Sequence, residues 1–187
     1  MARKASLIAP DRAKALAALR AAMQANGDLS AFIVPSEDPH MSEYPPDCCA
    51  RRMYISGFTG SAGTVVVTRD AALLWTDGRY YLQGEQELAE GWTLMRGGSP
   101  GVPTPSEWLA ATLPPGAKVG IDPFVHTIAT ARELQQQLSA KEQELVSVNN
   151  LVDKCALSAQ EFAHFECGKH LCCAEHVGKL AATASAW

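Results

Sequence analysis

Apolar and polar positions along the first 150 residues predict helices and strands in turn. In residues 11–25 the apolar positions recur every three or four residues and share one face, which is typical of an amphipathic helix; they are Leu16, Leu19 and Met23. Asn26 and Gly27 supply a signal that ends this helix. A continuous apolar run at residues 31–34 then predicts a buried strand, and the polar, proline-rich residues 36–47 predict a loop.

A hairpin is expected next. The β-branched residues 64–68 predict a strand, a turn follows at Arg69 and Asp70, and residues 71–75 predict the returning strand. We expect a helix after it, capped by Thr76 or Asp77 and continuing to about residue 89. Later strands are predicted at residues 92–95, 118–122 and 145–148, and later helices at 104–113 and 127–140. The first of these helices opens with a capping box of Thr104 and Glu107.

Strands that alternate with helices around a hairpin predict an α/β fold, with a mixed sheet of about six strands flanked by helices. We place one domain at residues 1–154, with a boundary near Lys154. Residues 155–187 are expected to form a short helical tail and not a second domain. A second capping box at residues 158–161 predicts a helix that runs toward Cys173.

Composition excludes some classes of function. The 187 residues are 47% hydrophobic and 19% charged, which is typical of a globular protein. A net charge of −4 argues against a nucleic-acid partner, because binding to phosphates favours a basic excess. No apolar run is long enough for a membrane span. Six cysteines without an export signal predict reduced thiols and a cytoplasmic location.

The glycine-rich run at residues 57–64 resembles a phosphate-binding loop, but it lacks the lysine of a P-loop. A β-branched strand follows the glycines, whereas a dinucleotide-binding loop precedes a helix. We therefore favour tight turns and close backbone approach as the reason for these glycines, and nucleotide binding is a minor alternative.

Asp77, Gly78 and Arg79 follow a predicted strand. One interpretation is structural: the aspartate caps a helix, the glycine relaxes a turn and the arginine lies on the surface. In the other, Arg79 is held on neighbouring aromatic rings and binds a carboxylate or carbonyl in a fixed geometry. Chemistry alone favours the structural interpretation.

No catalytic or metal-binding constellation is predicted. His40 lies near Glu43 in the proline-rich loop, where a local hydrogen bond is the usual role of such a pair. The tail has the residue types that zinc accepts, but it has no Cys-x-x-Cys spacing, and solvated side chains on a helix are favoured. These tail residues are His164, Cys167, His170, Cys172, Cys173 and His176.

A family resemblance is carried by motifs that follow one another over residues 11–154. They lie at residues 33–44, 51–64, 74–80, 92–95, 103–109, 119–123 and 150–154. Together they are similar to the N-terminal, creatinase-type domain of Xaa-Pro aminopeptidase, also called aminopeptidase P, and most of all to its cytosolic three-domain form. The resemblance implies a mixed six-stranded sheet with a ribonuclease H-like motif.

The resemblance also implies a function. Enzymes of this family remove the N-terminal residue that precedes proline, and their chemistry lies in a separate domain that holds two metal ions, usually manganese or else zinc. Arg79 is the residue expected to contact substrate, with Asp77, Gly78 and His40 as supporting motif residues. No catalytic residue, metal ligand or cofactor is expected in this chain, because residues 155–187 do not resemble the family's continuation.

Two functional classes remain open. In one, the chain is the substrate-contacting and assembly domain of an aminopeptidase, it binds proline-containing peptides, and it is inactive without a metal domain. In the other, the chain is a non-catalytic regulatory module that pairs with the full-length enzyme, with another protein or with a second copy of itself.

Overall fold

A computed structural model of the chain describes residues 11–46, 49–149 and 151–158. Its helices are α1 (Arg12–Ala25), α2 (Arg51–Ser56), α3 (Tyr81–Glu87), α4 (Pro105–Thr112), α5 (Ile128–Ser139) and α6 (Leu151–Ser158). Its strands are β1 (Ala31–Val34), β2 (Thr64–Thr68), β3 (Ala72–Thr76), β4 (Thr93–Arg96), β5 (Lys118–Ile121) and β6 (Glu144–Ser147).

The six strands form one mixed sheet in the order β4-β3-β2-β1-β5-β6. β2 runs antiparallel to both of its neighbours, and every other pair of adjacent strands is parallel. The predicted mixed sheet of six strands is therefore confirmed. Because all strands except β2 point the same way, their carboxyl ends and the start of β2 share one edge of the sheet, which we call the carboxyl edge.

Apolar residues fill a layer on each face of the sheet. On one face α1, α2 and α6 pack against side chains such as Phe32, Val65 and Leu74. On the other face α4 and α5 cover Ile33, Val66 and Trp75. Burial of both faces explains the short, continuous apolar strands that the sequence shows.

Local signals in the sequence explain most of the helix ends. The side chain of Asp11 accepts a hydrogen bond from the backbone N–H of Lys14 at 3.2 Å and begins α1. The predicted buried face of this helix is confirmed and includes Leu16, Leu19 and Met23. The predicted capping box of Thr104 and Glu107 is also confirmed at the start of α4.

One prediction about helix caps was wrong. Thr76 and Asp77 do not cap α3, since Thr76 is the last residue of β3 and Tyr80 is the N-cap. Asp77 instead uses its side chain to accept a hydrogen bond from the backbone of Arg79, and the helix starts about one turn later than expected. It ends at Glu87, within two residues of the expected end.

The sequence interpretation missed α2 altogether. This helix is only six residues long, and two arginines open it, so it has no apolar periodicity to detect. It ends at Gly57, whose φ of 85° is left-handed.

α6 runs through Lys154, the residue near which we placed the domain boundary. Leu151, Val152 and Cys155 are buried against the layer that contains α1. Of the predicted capping box at residues 158–161, only Ser158 is among the described residues. Residues 159–187, which hold all the tail histidines and cysteines considered as zinc ligands, lie outside them.

Candidate functional site

The two motifs that the sequence singled out meet at the carboxyl edge. Thr64 of β2 is in register with Trp75 of β3, so the glycine-rich loop before β2 lies beside the turn after β3. The hydroxyl of Thr76 donates a hydrogen bond to the carbonyl of Ala62 at 2.6 Å and joins the loop to the strand. Sheet pairing therefore holds residues 57–63, which we call the glycine loop, against the turn of residues 77–79.

In this turn the carboxylate of Asp77 holds the guanidinium of Arg79 by two hydrogen bonds. Nε of Arg79 donates to Oδ1 at 2.9 Å, and Nη2 donates to Oδ2 at 2.8 Å. The backbone N–H of Arg79 also donates to Oδ1. These hydrogen bonds lower the pKa of Asp77 to about 2.

The Arg79 side chain is 69% exposed, so the fork holds an arginine that solvent can reach. A guanidinium has further N–H donors that one carboxylate does not use. These donors are available to a second carboxylate or to a carbonyl. Gly78 lies in the turn itself, and a Cβ there would meet only the ring of Tyr81, at 3.8 Å.

An aromatic side chain lies under Arg79. The Cζ of Arg79 is 5.2 Å from the centroid of the Tyr80 ring, which is within the range of a cation–π contact. The hydroxyl of Tyr80 is 2.7 Å from the hydroxyl of Ser61 in the glycine loop. The Tyr80 ring also meets Phe58 edge to face, with centroids 6.0 Å apart.

Arg52 of α2 holds the glycine loop in place by hydrogen bonds from its buried side. Its guanidinium donates to the hydroxyl of Ser36 at 2.8 Å and to the carbonyls of Gly60 and Gly63. Only 8% of the residue is exposed, and burial lowers the pKa of the guanidinium to about 10. Its Cζ also lies 4.9 Å from the centroid of the Phe58 ring.

The sequence interpretation gave Arg52 no role, although its motif contributed to the family resemblance. One sequence feature could have indicated that Arg52 is buried: it stands just before an apolar, glycine-rich stretch. A buried arginine needs hydrogen-bond acceptors, and the backbone carbonyls of such a stretch supply them. Tyr80 was noted only as a neighbour of Arg79, and its link to Ser61 depends on strand pairing that periodicity does not reveal.

The glycines of the loop are explained by close packing, as predicted. A Cβ on Gly63 would lie 2.8 Å from the carbonyl oxygen of Trp75, and one on Gly60 would lie 2.3 Å from the Phe58 ring. The loop is tied to α3 as well, because the carboxylate of Glu87 accepts hydrogen bonds from the backbone and hydroxyl of Thr59. The glycines therefore allow a packed loop, and no helix N-terminus follows them.

His40 lies at the surface in the loop after β1. Its backbone N–H donates to the carboxylate of Asp38 at 3.0 Å, and that of Ser42 donates to the same oxygen at 2.8 Å. Asp38 is 1% exposed, so it is the residue that shapes this loop. No contact in the described structure joins His40 to Arg79, and the imidazole's role stays a prediction.

Two cavities lie along the carboxyl edge. One, of about 270 Å³, is lined by Asp77, Gly97 and Pro103 among others, and so adjoins the turn that bears Arg79. The other, of about 240 Å³, is lined by Glu37, His126 and other residues. Within the described ranges, no group of three or more His, Cys, Asp or Glu side chains is arranged to hold a metal ion.

Comparison with known proteins identifies the family. Residues 16–155 match the model of the creatinase/prolidase N-terminal domain. The chain belongs to this family. The resemblance predicted from the sequence motifs is confirmed, and the match contains the glycine loop, Arg79 and most of α6.

Curated relatives of this creatinase-type domain are named as aminopeptidases. The chain is 57% identical over 128 residues to aminopeptidase P2 of Arabidopsis thaliana, which covers 67% of the chain and 18% of the relative. It is 46% identical over 137 residues to the Xaa-Pro aminopeptidase ApepP of Drosophila melanogaster, which covers 73% of the chain and 22% of the relative. The chain thus spans about a fifth of the length of these relatives. It corresponds to an N-terminal domain of the Xaa-Pro aminopeptidase family.

Solved structures agree with the fold. An X-prolyl aminopeptidase of Caenorhabditis elegans, described as a cytosolic enzyme with a di-nuclear active site, is 37% identical with a TM-score of 0.73. The alignment covers 76% of this chain and 25% of that enzyme. The N-terminal domain of the cytoplasmic peptidase PepQ from Mycobacterium tuberculosis is 27% identical with a TM-score of 0.56, over 76% of this chain and 98% of that domain.

No helix in the described part of the chain is long and apolar enough to cross a bilayer.

Proposed function

We propose that this chain acts as the substrate-contacting N-terminal domain of a metal-dependent Xaa-Pro aminopeptidase. The observation that carries the proposal is the geometry of Arg79, an exposed guanidinium oriented by the fork from Asp77 at the carboxyl edge. An arginine fixed in this way loses little freedom when it binds a carboxylate or carbonyl, so it suits recognition of a peptide. The cavity beside Asp77 gives room for such a ligand.

The hydrolytic step belongs to a separate domain in this proposal. The C. elegans relative is described as having a di-nuclear active site. For the catalytic domain that would complete this chain, the family resemblance implies two manganese or zinc ions. A pair of metal ions can activate water and polarise the scissile carbonyl. The role of this chain is to bind and orient the peptide, and we place it in the cytoplasm.

The first experiment measures binding of a fluorescent Xaa-Pro peptide to the chain and to its Arg79→Ala variant. Loss of a charge-assisted hydrogen bond should weaken binding by about tenfold or more. Arg96→Ala is a matched control, because Arg96 is also exposed, also pairs with a carboxylate, that of Glu85, and also lies over a ring, that of Tyr81. Equal affinity of the Arg79→Ala variant and the original chain would rule out Arg79 as a substrate contact.

The second experiment measures hydrolysis of an Xaa-Pro peptide with manganese added. The chain alone is expected to give no turnover, and a mixture with a separately made catalytic portion of a relative is expected to restore some. Xaa-Pro hydrolysis by the pure chain, lost on chelation, would overturn the assignment of chemistry to another domain.

An interaction module is the second candidate, and one exposed side chain favours it. Leu82 on α3 is 75% exposed and lies three residues after Arg79, next to the candidate site. Contact with the full-length enzyme or with a second copy of this chain through this edge would cover Leu82, so this side chain is the position to probe. Sedimentation of mixtures with a full-length relative should show association that Leu82→Gln weakens and Ile128→Gln, at another exposed apolar residue, does not.

A further inference from the structure

Four side chains form a continuous stack that joins the buried layer to the exposed guanidinium. We call Arg52, Phe58, Tyr80 and Arg79 the arginine–aromatic stack. The distances between successive members are 4.9 Å, 6.0 Å and 5.2 Å, each measured to or between ring centroids. One end of the stack is buried and the other is exposed to solvent. Side chains that are fixed at the buried end can therefore restrict the motion of Arg79 at the exposed end.

The buried end of the stack is firmly held. Phe58 is fully buried, and Arg52 is fixed beside it by hydrogen bonds to Ser36 and to the carbonyls of the glycine loop. Gly60 lies so close to the ring that it leaves no room for a Cβ. The Phe58 ring therefore has little freedom to move, because packing limits it on several sides.

Tyr80 links the fixed Phe58 ring to the exposed guanidinium of Arg79. Its ring edge meets Phe58, and its hydroxyl is hydrogen-bonded to Ser61 of the glycine loop. Both contacts join it to the part of the loop that Arg52 fixes. The ring thus presents a stationary face at the point where the Arg79 guanidinium lies.

The fork from Asp77 orients Arg79, and the Tyr80 ring adds a second restraint. Asp77 and Arg79 have side chains that are 43% and 69% exposed, so water competes with their ion pair and the guanidinium keeps some freedom to move. A ring face on one side removes many of the positions that an exposed pair would otherwise visit.

We propose that Tyr80 is a positioning residue for Arg79, and that the glycine loop serves to fix Tyr80. The inference rests on the proposed function, in which Arg79 contacts the peptide. The glycine loop, which resembles a phosphate-binding loop in sequence, then has a structural role: it holds the Tyr80 ring in place. It also explains why the two motifs occur together at one edge of the sheet.

The test is an NMR measurement of the order parameter of the Arg79 Nε–Hε group in the full chain. Tyr80→Leu removes the ring and should lower the order parameter from about 0.85 to below about 0.6. Tyr80→Phe keeps the ring and its contact with Phe58 but loses the hydrogen bond to Ser61, so it should give an intermediate value. Ser61→Ala removes the same hydrogen bond from the other side and should give a similar intermediate value.

A neighbouring pair supplies the matched control. Arg96 lies 5.5 Å from the centroid of the Tyr81 ring, outside the stack. Tyr81→Leu should therefore loosen Arg96 and leave Arg79 ordered, while Tyr80→Leu should do the reverse. Should Tyr80→Leu not fold, the exposed Ser61→Ala substitution still decides the question, because an unchanged Arg79 order parameter there contradicts the proposal.

Peptide binding separates this inference from the proposed function. The affinity loss should be largest in Arg79→Ala, smaller in Tyr80→Leu, and slight in Tyr80→Phe. If Arg79 stays ordered when the Tyr80 ring is removed, the positioning role is overturned whatever the peptide does. If Arg79→Ala binds peptide normally while Tyr80→Leu still loosens Arg79, the substrate contact fails and the positioning role stands.

Discussion

At the scale of single residues, the two arginines of the stack differ in what balances their charge. Arg79 has a carboxylate and water, whereas Arg52 has a hydroxyl, backbone carbonyls and an aromatic ring. A buried guanidinium held by neutral groups is costly to desolvate, and its depressed pKa reflects this cost. Arg52 therefore orders the loop through hydrogen bonds to neutral groups, and not through an ion pair with a described carboxylate.

Asp77 gives a prediction about pH. Its pKa in the folded chain is about 2, below the usual 3.8, because Arg79 donates hydrogen bonds to its charged form. The pair therefore favours the folded turn above about pH 4, and this contribution is lost as the pH falls toward 2. An NMR titration of the Asp77 carboxyl carbon should show the low pKa in the original chain and a higher pKa in Arg79→Ala, still below 3.8 because the backbone N–H of residue 79 continues to donate to the carboxylate.

The control for this titration is Arg96→Ala, which removes an arginine that does not contact Asp77. The Asp77 pKa should stay low in that variant. A pKa that is unchanged by Arg79→Ala would show that the fork is not what lowers it, and the orientation of Arg79 would then need another cause.

Sequence alone located Arg79 and Asp77 but not their support. The Asp-Gly-Arg motif is local, so three adjacent residues suffice to single it out. Arg52 and Tyr80 contact the glycine loop across intervals of 8 and 19 residues, to Gly60 and Ser61 respectively. The contact of Tyr80 depends on how β2 and β3 pair, that of Arg52 depends on how α2 packs against the loop, and hydrophobic periodicity carries no information about either.

At the scale of elements, strong apolar patterns were predicted well and short or charged helices were not. The four central strands β1, β2, β3 and β5 were identified because each is a mostly apolar run buried on both faces, and the edge strands β4 and β6 each keep two partly buried apolar residues at their centre. α2 was missed because Arg51 and Arg52 occupy positions that lie inside the fold. Arg51 is buried by Asp153, a partner 102 residues away, so its burial has no local signal.

Arg51 joins α2 to α6 and supports a prediction about stability. Its guanidinium donates to both carboxylate oxygens of Asp153, at 2.8 and 2.9 Å, and the two side chains are only 11% and 23% exposed. Asp153→Ala leaves the cation without its partner and should lower the free energy of unfolding by about 3 kcal/mol in a urea titration.

Two comparisons make this prediction specific. Replacing both partners, with Arg51→Met and Asp153→Leu, should recover most of the loss, because no buried charge then remains. Arg69→Ala breaks an exposed pair with Asp28 and should cost less than about 1 kcal/mol. If Asp153→Ala costs no more than Arg69→Ala, the pair does not hold α6 to the domain.

At the scale of the whole molecule, α6 bears on where the domain ends. The predicted boundary near Lys154 falls inside this helix, and the family match ends at residue 155. Leu151 and Val152 are 0% and 3% exposed, and they complete the layer formed by α1 and α2. Because these residues follow β6 in sequence, the sheet is not covered on that face until α6 has been added.

Shortened chains test whether α6 is part of the stable domain. A chain that ends after Ser158 keeps every described element and should unfold in one cooperative urea transition with the midpoint of the full chain. A chain that ends at residue 149 exposes the surface that α6 covers, and loss of Leu151 and Val152 alone should cost about 1.5–3 kcal/mol for each side chain. Its transition should therefore fall at much lower urea, and Arg51 should lose its partner as well. Equal midpoints for the two shortened chains would show that the sheet and α1 form the stable unit without α6, and that the domain ends at β6.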